Sequence, residues 1–238
     1  MTPGTRIALA VCLVVVAGLG GFLAHRVLPG KPISAQAPPL VATSPASGAG
    51  SAPSAGGGAD QAPAELHGTV PERLPDITLP DQSGRPHKLR DWSGRPLLIN
   101  FWATWCEPCR REIPLLQGLR RQHAAAGLEV VGIALDSRDA VLKYAQEMGI
   151  QYPILIGEQD GLKAVDAFGM QPVLPFSVFA DQQGRIVYLK IGELHPDEAR
   201  MIVGRVEDVD SGRLELSTAR LQIAESLKSL AAQRANKS

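Results

Sequence analysis

The alternation of apolar and polar positions divides the chain into an unpatterned amino-terminal part and a patterned remainder. Residues 7–23 (IALAVCLVVVAGLGGFL) are apolar or small throughout, and 24–28 extend the run through His25 and Arg26 to 22 residues. As a helix this run spans about 33 Å, enough for a hydrocarbon core of about 30 Å. A cleaved signal peptide has a shorter apolar core followed closely by small residues. Here the first such pair, Ala35 and Ala37, lies far downstream and precedes Pro38. The expectation is an uncleaved membrane anchor over residues 1–28. Cys12 then lies inside it as a lipid-facing residue, since Val11 is too bulky for a lipoprotein box. Arg6 stands on one side and Arg26 and Lys31 on the other, so charge assigns no topology. From Pro29 to Ala64 the chain turns to Pro, Ala, Ser and Gly, which cannot bury enough surface to offset ordering entropy. A flexible linker is expected over 29–70, its 36 low-complexity residues spanning about 30–36 Å as a coil.

Beyond it the pattern predicts one domain over 71–210. Residues 77–89 read as two short extended runs around DQSG, a hairpin. Residues 96–104 form a buried strand, and the following segment to Gly127 a helix with Ile113, Leu115, Leu116 and Leu119 on one face. Strand 128–135, helix 138–148 closed by Gly149, strand 152–156 and a short helix over 161–168 come next. Residues 176–179 and 185–191 pair across DQQG, and 197–209 form a helix with Ala199, Ile202, Val203 and Val206 inward. Strand–helix alternation followed by a hairpin and a helix predicts a three-layer α/β domain. The extension over 211–238 keeps apolar residues at Leu221, Ala224, Leu227 and Leu230, predicting one more helix packed on the domain or on a partner.

Composition narrows the function. The 24 basic residues balance 24 acidic ones, so no basic footprint for nucleic acid exists. Residues 1–64 hold Arg6, Arg26 and Lys31 against Asp60, leaving a slightly acidic domain behind a slightly basic tether. Three cysteines cannot staple a small scaffold. With Cys12 in the apolar run, the only pair left is Cys106 and Cys109, spaced Cys-x-x-Cys where a buried strand turns into a helix. That spacing lets both sulfurs meet in one helical turn. Cys106 falls at the helix start, where unpaired N–H groups and the positive dipole end favour a thiolate, and Cys109 lies deeper. Cys106 is therefore the candidate nucleophile and Cys109 its resolving partner. Pro108 suits a first helical turn, and Pro114 is expected to kink or bend the helix. Glu107 should be exposed and mildly oppose thiolate formation, with Arg110 and Arg111 offsetting it. Trp105 and Trp102 should shape the surface and core around the site. A structural zinc site lacks further ligands, and a structural disulfide fits poorly with so short a loop opening a helix.

The motif FWATWCEPCRREIP, preceded by PDITLPDQSGRPHKLRDWSGRPLLIN, resembles the membrane-anchored TlpA/ResA group of thioredoxin-like proteins, relatives of the cytochrome c maturation thioredoxin CcmG within the AhpC/TSA superfamily. The likeness covers about Leu74 to Val206. It implies a thioredoxin-like fold with an N-terminal hairpin and an extra C-terminal helix, tethered by residues 7–28 to a bacterial inner membrane with the redox domain in the periplasm. It also implies a cis-proline loop facing the dithiol, matched by Pro175, with Leu174 offering backbone hydrogen bonds to an extended peptide. Trp105, Glu107, Pro108, Leu174 and Phe176 would then contact the substrate. Phe176 stands where the family usually has Thr or Glu, which bears on substrate preference. ResA-like members keep an acidic residue at the end of the strand after the first helix, matched by Asp136. Two readings stay open: a buried carboxylate shuttling the Cys109 proton, or a simple cap of the next helix by Asp136 or by Ser137 beside it.

Three activities compete. Thiol–disulfide exchange uses Cys106 and Cys109 directly and needs no cofactor. A peroxiredoxin-type peroxidase needs a Pro and a Thr at seven and three residues before the cysteine, where Ile99 and Ala103 stand. A dithiol copper carrier lacks a Met- or His-rich companion segment. The resemblance favours a reductase that draws electrons from a transmembrane thiol transporter and delivers them to an oxidised partner such as apocytochrome c or a copper-site protein.

Overall fold

The computed structural model describes residues 69–158 and 160–236. The expected anchor and nearly all of the expected linker lie outside them. Among the described residues no helix is long and apolar enough to cross a membrane.

Strands β1 (Thr78–Pro80) and β2 (Pro86–Lys88) pair antiparallel as a hairpin, with Leu79 opposite His87. The chain then passes through a 3-10 turn (Leu89–Trp92) into β3 (Leu97–Trp102), helix α1 (Glu107–Gln122) and β4 (Glu129–Ala134). Helix α2 (Arg138–Glu147), β5 (Ile154–Ile156) and α3 (Asp160–Ala167) follow. Strands β6 (Phe176–Ala180) and β7 (Ile186–Ile191) precede α4 (Pro196–Asp210) and α5 (Leu216–Ala235). The main sheet has the order β5-β4-β3-β6-β7. Strands β3, β4 and β5 run parallel, and β6 and β7 join antiparallel.

Period-two alternation assigns each residue of β3 to a face. Leu97, Ile99 and Phe101 point to one core, with Val131, Ile133, Phe176 and Val178, and are covered by Val165 and Phe168 around α3 and by Ile77 and Leu79 of the hairpin. Leu98 and Trp102 point to the other, with Val130, Phe179 and Val187, beneath residues of α1, α2, α4 and α5. The result is the expected α/β sandwich with helices on both faces of a mixed sheet.

Two local expectations change, in the Ala124–Ala126 run and in the last helix. The Ala124–Ala126 run is a 3-10 turn, because its N–H groups bond three residues back, and the chain then leaves through Gly127 at φ 78°. Helix α1 continues through Pro114, whose ring lies on the exposed side. In α5 the buried stripe is Ala219, Ile223 and Leu227, spaced by four, whereas Leu221 is 73% exposed. At 100° per residue, Leu221 lies roughly 200° round the helix from Ala219, away from the core. The extension is thus part of the core under α4 and β7.

Candidate active site

Strand β3 ends at Trp102, and Ala103–Trp105 carry the chain past the carboxyl end of this central strand into α1. Cys106 is the N-cap of that helix, and its Sγ accepts the Cys109 N–H at 3.3 Å. The helix start thus directs an unpaired backbone donor at the first sulfur, which favours negative charge there. The two cysteines are joined as a disulfide, with Cα atoms 5.3 Å apart. Cys106 is 6% exposed and Cys109 fully buried, so an incoming group reaches the first sulfur. Trp105, 70% exposed, forms an apolar rim beside it. Glu107 is exposed and pairs with Arg111 at 3.0 Å, and Pro108 occupies the first turn. Arg110 hydrogen-bonds the Tyr144 hydroxyl at 3.2 Å and lies over its ring.

The antiparallel register places Phe176 opposite Phe101, so the start of β6 lies beside the end of β3. The Leu174–Pro175 peptide bond is cis. Leu174 is half-buried and packs against the cluster that contains both cysteines. Phe176 has a different place from the one expected. It is fully buried and stacks on Phe101 at 4.1 Å between centroids, because its position in β6 turns it to the α3 face. Its side chain is part of the core rather than of the exposed surface around the dithiol.

Asp136 is half-buried, and its oxygens take the Thr104 N–H at 3.2 Å, the Thr104 hydroxyl and the Ser137 N–H at 2.7 Å. It anchors the loop ahead of Cys106, while the cap of α2 is Ser137, whose Oγ accepts the Ala140 N–H at 3.4 Å.

The buried carboxylate of the site is instead Glu112, which is 2% exposed. It lies one turn beyond Cys109 on the same helical face. Asn100 of β3 donates to Glu112 Oε1 at 2.6 Å, and the Leu194 N–H donates to Oε2 at 2.9 Å. Burial pushes the Glu112 carboxyl up to about 7, the two hydrogen bonds and Lys190 pull it partly back, and Glu193 adds to the rise. Asn100 also donates to Ser177 at 3.1 Å, and its Oδ1 has no partner among the described residues. A protonated Glu112 can donate to that oxygen if the amide turns over, so both charge states can be hydrogen-bonded. The sequence did carry a signal for Glu112, since residues 109, 112, 113, 116 and 119 form one stripe of α1 and all are buried. Among the described residues no group of three His, Cys, Asp or Glu side chains is placed to hold a metal ion.

A dithiol opening the helix after the central strand, beside a strand entered through a cis proline, defines a thioredoxin-like fold. Comparison with known proteins gives the same class. The AhpC/TSA family matches residues 70–189. The thiol-disulfide oxidoreductase ResA of Geobacillus thermodenitrificans (strain NG80-2) is 32% identical over 132 residues, 55% of this chain and 74% of that protein. A secreted thiol-disulfide isomerase from Corynebacterium glutamicum superposes with a TM-score of 0.53 at 26% identity, over 62% of this chain and 96% of that one. A thioredoxin-family thiol:disulfide interchange protein from Chlorobium tepidum TLS gives 0.51 at 26% identity, over 60% and 99%. The chain belongs to the AhpC/TSA family, as a TlpA/ResA-like member with the thioredoxin fold.

Proposed function

We propose that the protein is a membrane-anchored protein-disulfide reductase that works outside the cytoplasm through Cys106 and Cys109. Thiol–disulfide oxidoreduction is the activity shared with its relatives. The observation that carries the reading is the asymmetry of the pair: an approachable sulfur at the helix start, a buried one behind it, and a carboxylate one turn deeper.

In the reduced protein the Cys106 thiolate attacks one sulfur of a partner disulfide. That S–S bond breaks, a mixed disulfide forms, and the leaving partner thiolate takes up a proton. The Cys109 thiol passes its proton to the Glu112 carboxylate and attacks the Cys106 sulfur. The second partner sulfur leaves as a thiolate and takes up a proton, the partner is released as a dithiol, and the Cys106–Cys109 bond holds the two electrons' worth of oxidation. A carboxylate near 7 suits this transfer, because it is part ionised at neutral pH. Trp105 and the Leu174 backbone receive the partner chain. The peroxidase alternative has no support at Ile99 and Ala103, two buried side chains without a hydroxyl.

The anchor over residues 7–28, an apocytochrome c or similar substrate and a transmembrane thiol transporter as donor complete the proposal. They rest on the apolar run and on the TlpA/ResA resemblance. The midpoint potential of the Cys106–Cys109 couple tests the direction of transfer. A value near that of thioredoxin, about −270 mV, is expected, and one near that of DsbA, about −120 mV, would reverse it.

A further inference from the structure

Glu112 owes one of its two hydrogen bonds to a segment far away in sequence. The loop between β7 and α4 runs through Gly192, Glu193, Leu194 and His195. Its ends are fixed: the Gly192 N–H donates to the Pro175 carbonyl at 2.9 Å, and the His195 N–H donates to Glu198 at 3.2 Å. Between them lies the 193–194 peptide. Its N–H donates to Glu112, and its carbonyl accepts Lys190 Nζ at 3.3 Å.

Immediately outside this contact stands an ion pair with the same neighbours. Arg111 Nε lies 3.1 and 3.2 Å from the two Glu193 oxygens, and Nη2 lies 2.6 Å from Oε2. Arg111 precedes Glu112 on α1, and Glu193 precedes Leu194 on the loop. Two successive residues of the helix therefore grip two successive residues of the loop. The outer grip is a guanidinium fork on a carboxylate, the geometry that best fixes orientation. Partly exposed as it is, the pair contributes little to stability.

We propose that Arg111 and Glu193 are positioning residues: their fork holds the loop against α1 so that the Leu194 N–H stays on the Glu112 carboxylate. This rests on the proton-acceptor role proposed for Glu112, and it assigns a chemical task to a surface ion pair. Around Glu112 also stand Cys109 on its own helix, Asn100 on β3, Ser177 on β6 through Asn100, Lys190 on β7 and the buried Tyr152 ahead of β5.

Charge effects and the clamp can be separated by sign. The Glu193 charge raises the Glu112 value through space, so its removal alone moves Glu112 down. Losing the clamp removes a hydrogen bond to the ionised form and moves Glu112 up. The test is a carbon-13 NMR titration of the Glu112 carboxyl in the oxidised full chain, assigned with Glu112→Gln. Glu193→Gln and Arg111→Gln should both raise it by about one pH unit. Arg111→Lys, which keeps the charge and loses the fork, should raise it by a smaller amount. A downward or absent shift in Glu193→Gln, or no shift in Arg111→Lys, overturns the proposal. Exchange rates of the same variants keep the two ideas apart. If Glu112 moves and the pH dependence of exchange does not follow, the clamp stands and the proton-acceptor role falls.

Discussion

The two faces of the central sheet differ more than their shared strands suggest. On the α3 face, β3 presents Leu97, Ile99 and Phe101, and Phe101 stacks on Phe176 and meets Phe168 edge-on at 5.6 Å. On the α1 face the same strand presents Leu98, Asn100 and Trp102. Asn100 lies between Ser177 and Gly132 in the register and reaches Glu112 above the sheet. Three polar atoms there, Asn100 Oδ1, Trp102 Nε1 and the Tyr152 hydroxyl, are buried and without partners among the described residues. Unpaired burial costs about 1–3 kcal/mol per group. One face is therefore built for cohesion, and the other sacrifices some cohesion to keep a titrating carboxylate beside the dithiol.

The largest expected effect breaks the apolar face. Phe101→Ala removes a fully buried ring from two aromatic contacts and should cost about 3–5 kcal/mol in denaturant unfolding. The exchange rate per folded molecule should stay unchanged, because the ring points away from the cysteines. A selective loss of exchange at full folding would contradict the division of labour.

Next comes Glu112. Its folded value of about 7 lies above the ordinary 4.5, so between these values the folded state holds more protons than the unfolded one. The contribution is therefore favourable below 4.5 and is lost as pH rises through 7, about 3 kcal/mol in all. Glu112→Gln should remove that part of the slope in unfolding measured from pH 4 to 8, and slow exchange at neutral pH. Parallel stability curves for the two proteins would show that the carboxyl does not titrate in this window.

The smallest effect sharpens the contrast at one residue. A Cβ on Gly132 would stand 2.9 Å from Trp102 Nε1 and 3.1 Å from Tyr152 Cε2. Gly132→Ala should cost about 1–3 kcal/mol through overpacking. Tryptophan fluorescence should report the displaced indole.

Legibility from sequence follows the range of the interactions involved. Strand β3, the helix opened by Cys106-Glu107-Pro108-Cys109 and the inward stripe of α4 are local patterns, and residues close in the chain write them. The resemblance sets Phe176 on the substrate side, whereas strand alternation turns its side chain to the core. Of the two residues that could cap α2, Ser137 does so, and Asp136 holds Thr104 in the loop ahead of Cys106. Glu112 sits in a charged run, CRREIP, whose local composition gives it no buried partner. Its environment comes from Asn100, 12 residues earlier, and Leu194, 82 residues later. Only the helical spacing from Cys109 to Leu116 marks it as inward.

The exchange mechanism itself is tested most directly by trapping. In cells expressing the full chain with Cys109→Ser, the mixed disulfide made by Cys106 has no resolving thiol and should accumulate as a discrete, reductant-sensitive adduct. The same chain with Cys106→Ser as well should show none. Absence of any adduct on Cys106, with the protein folded and reduced, would contradict a Cys106 nucleophile resolved by Cys109.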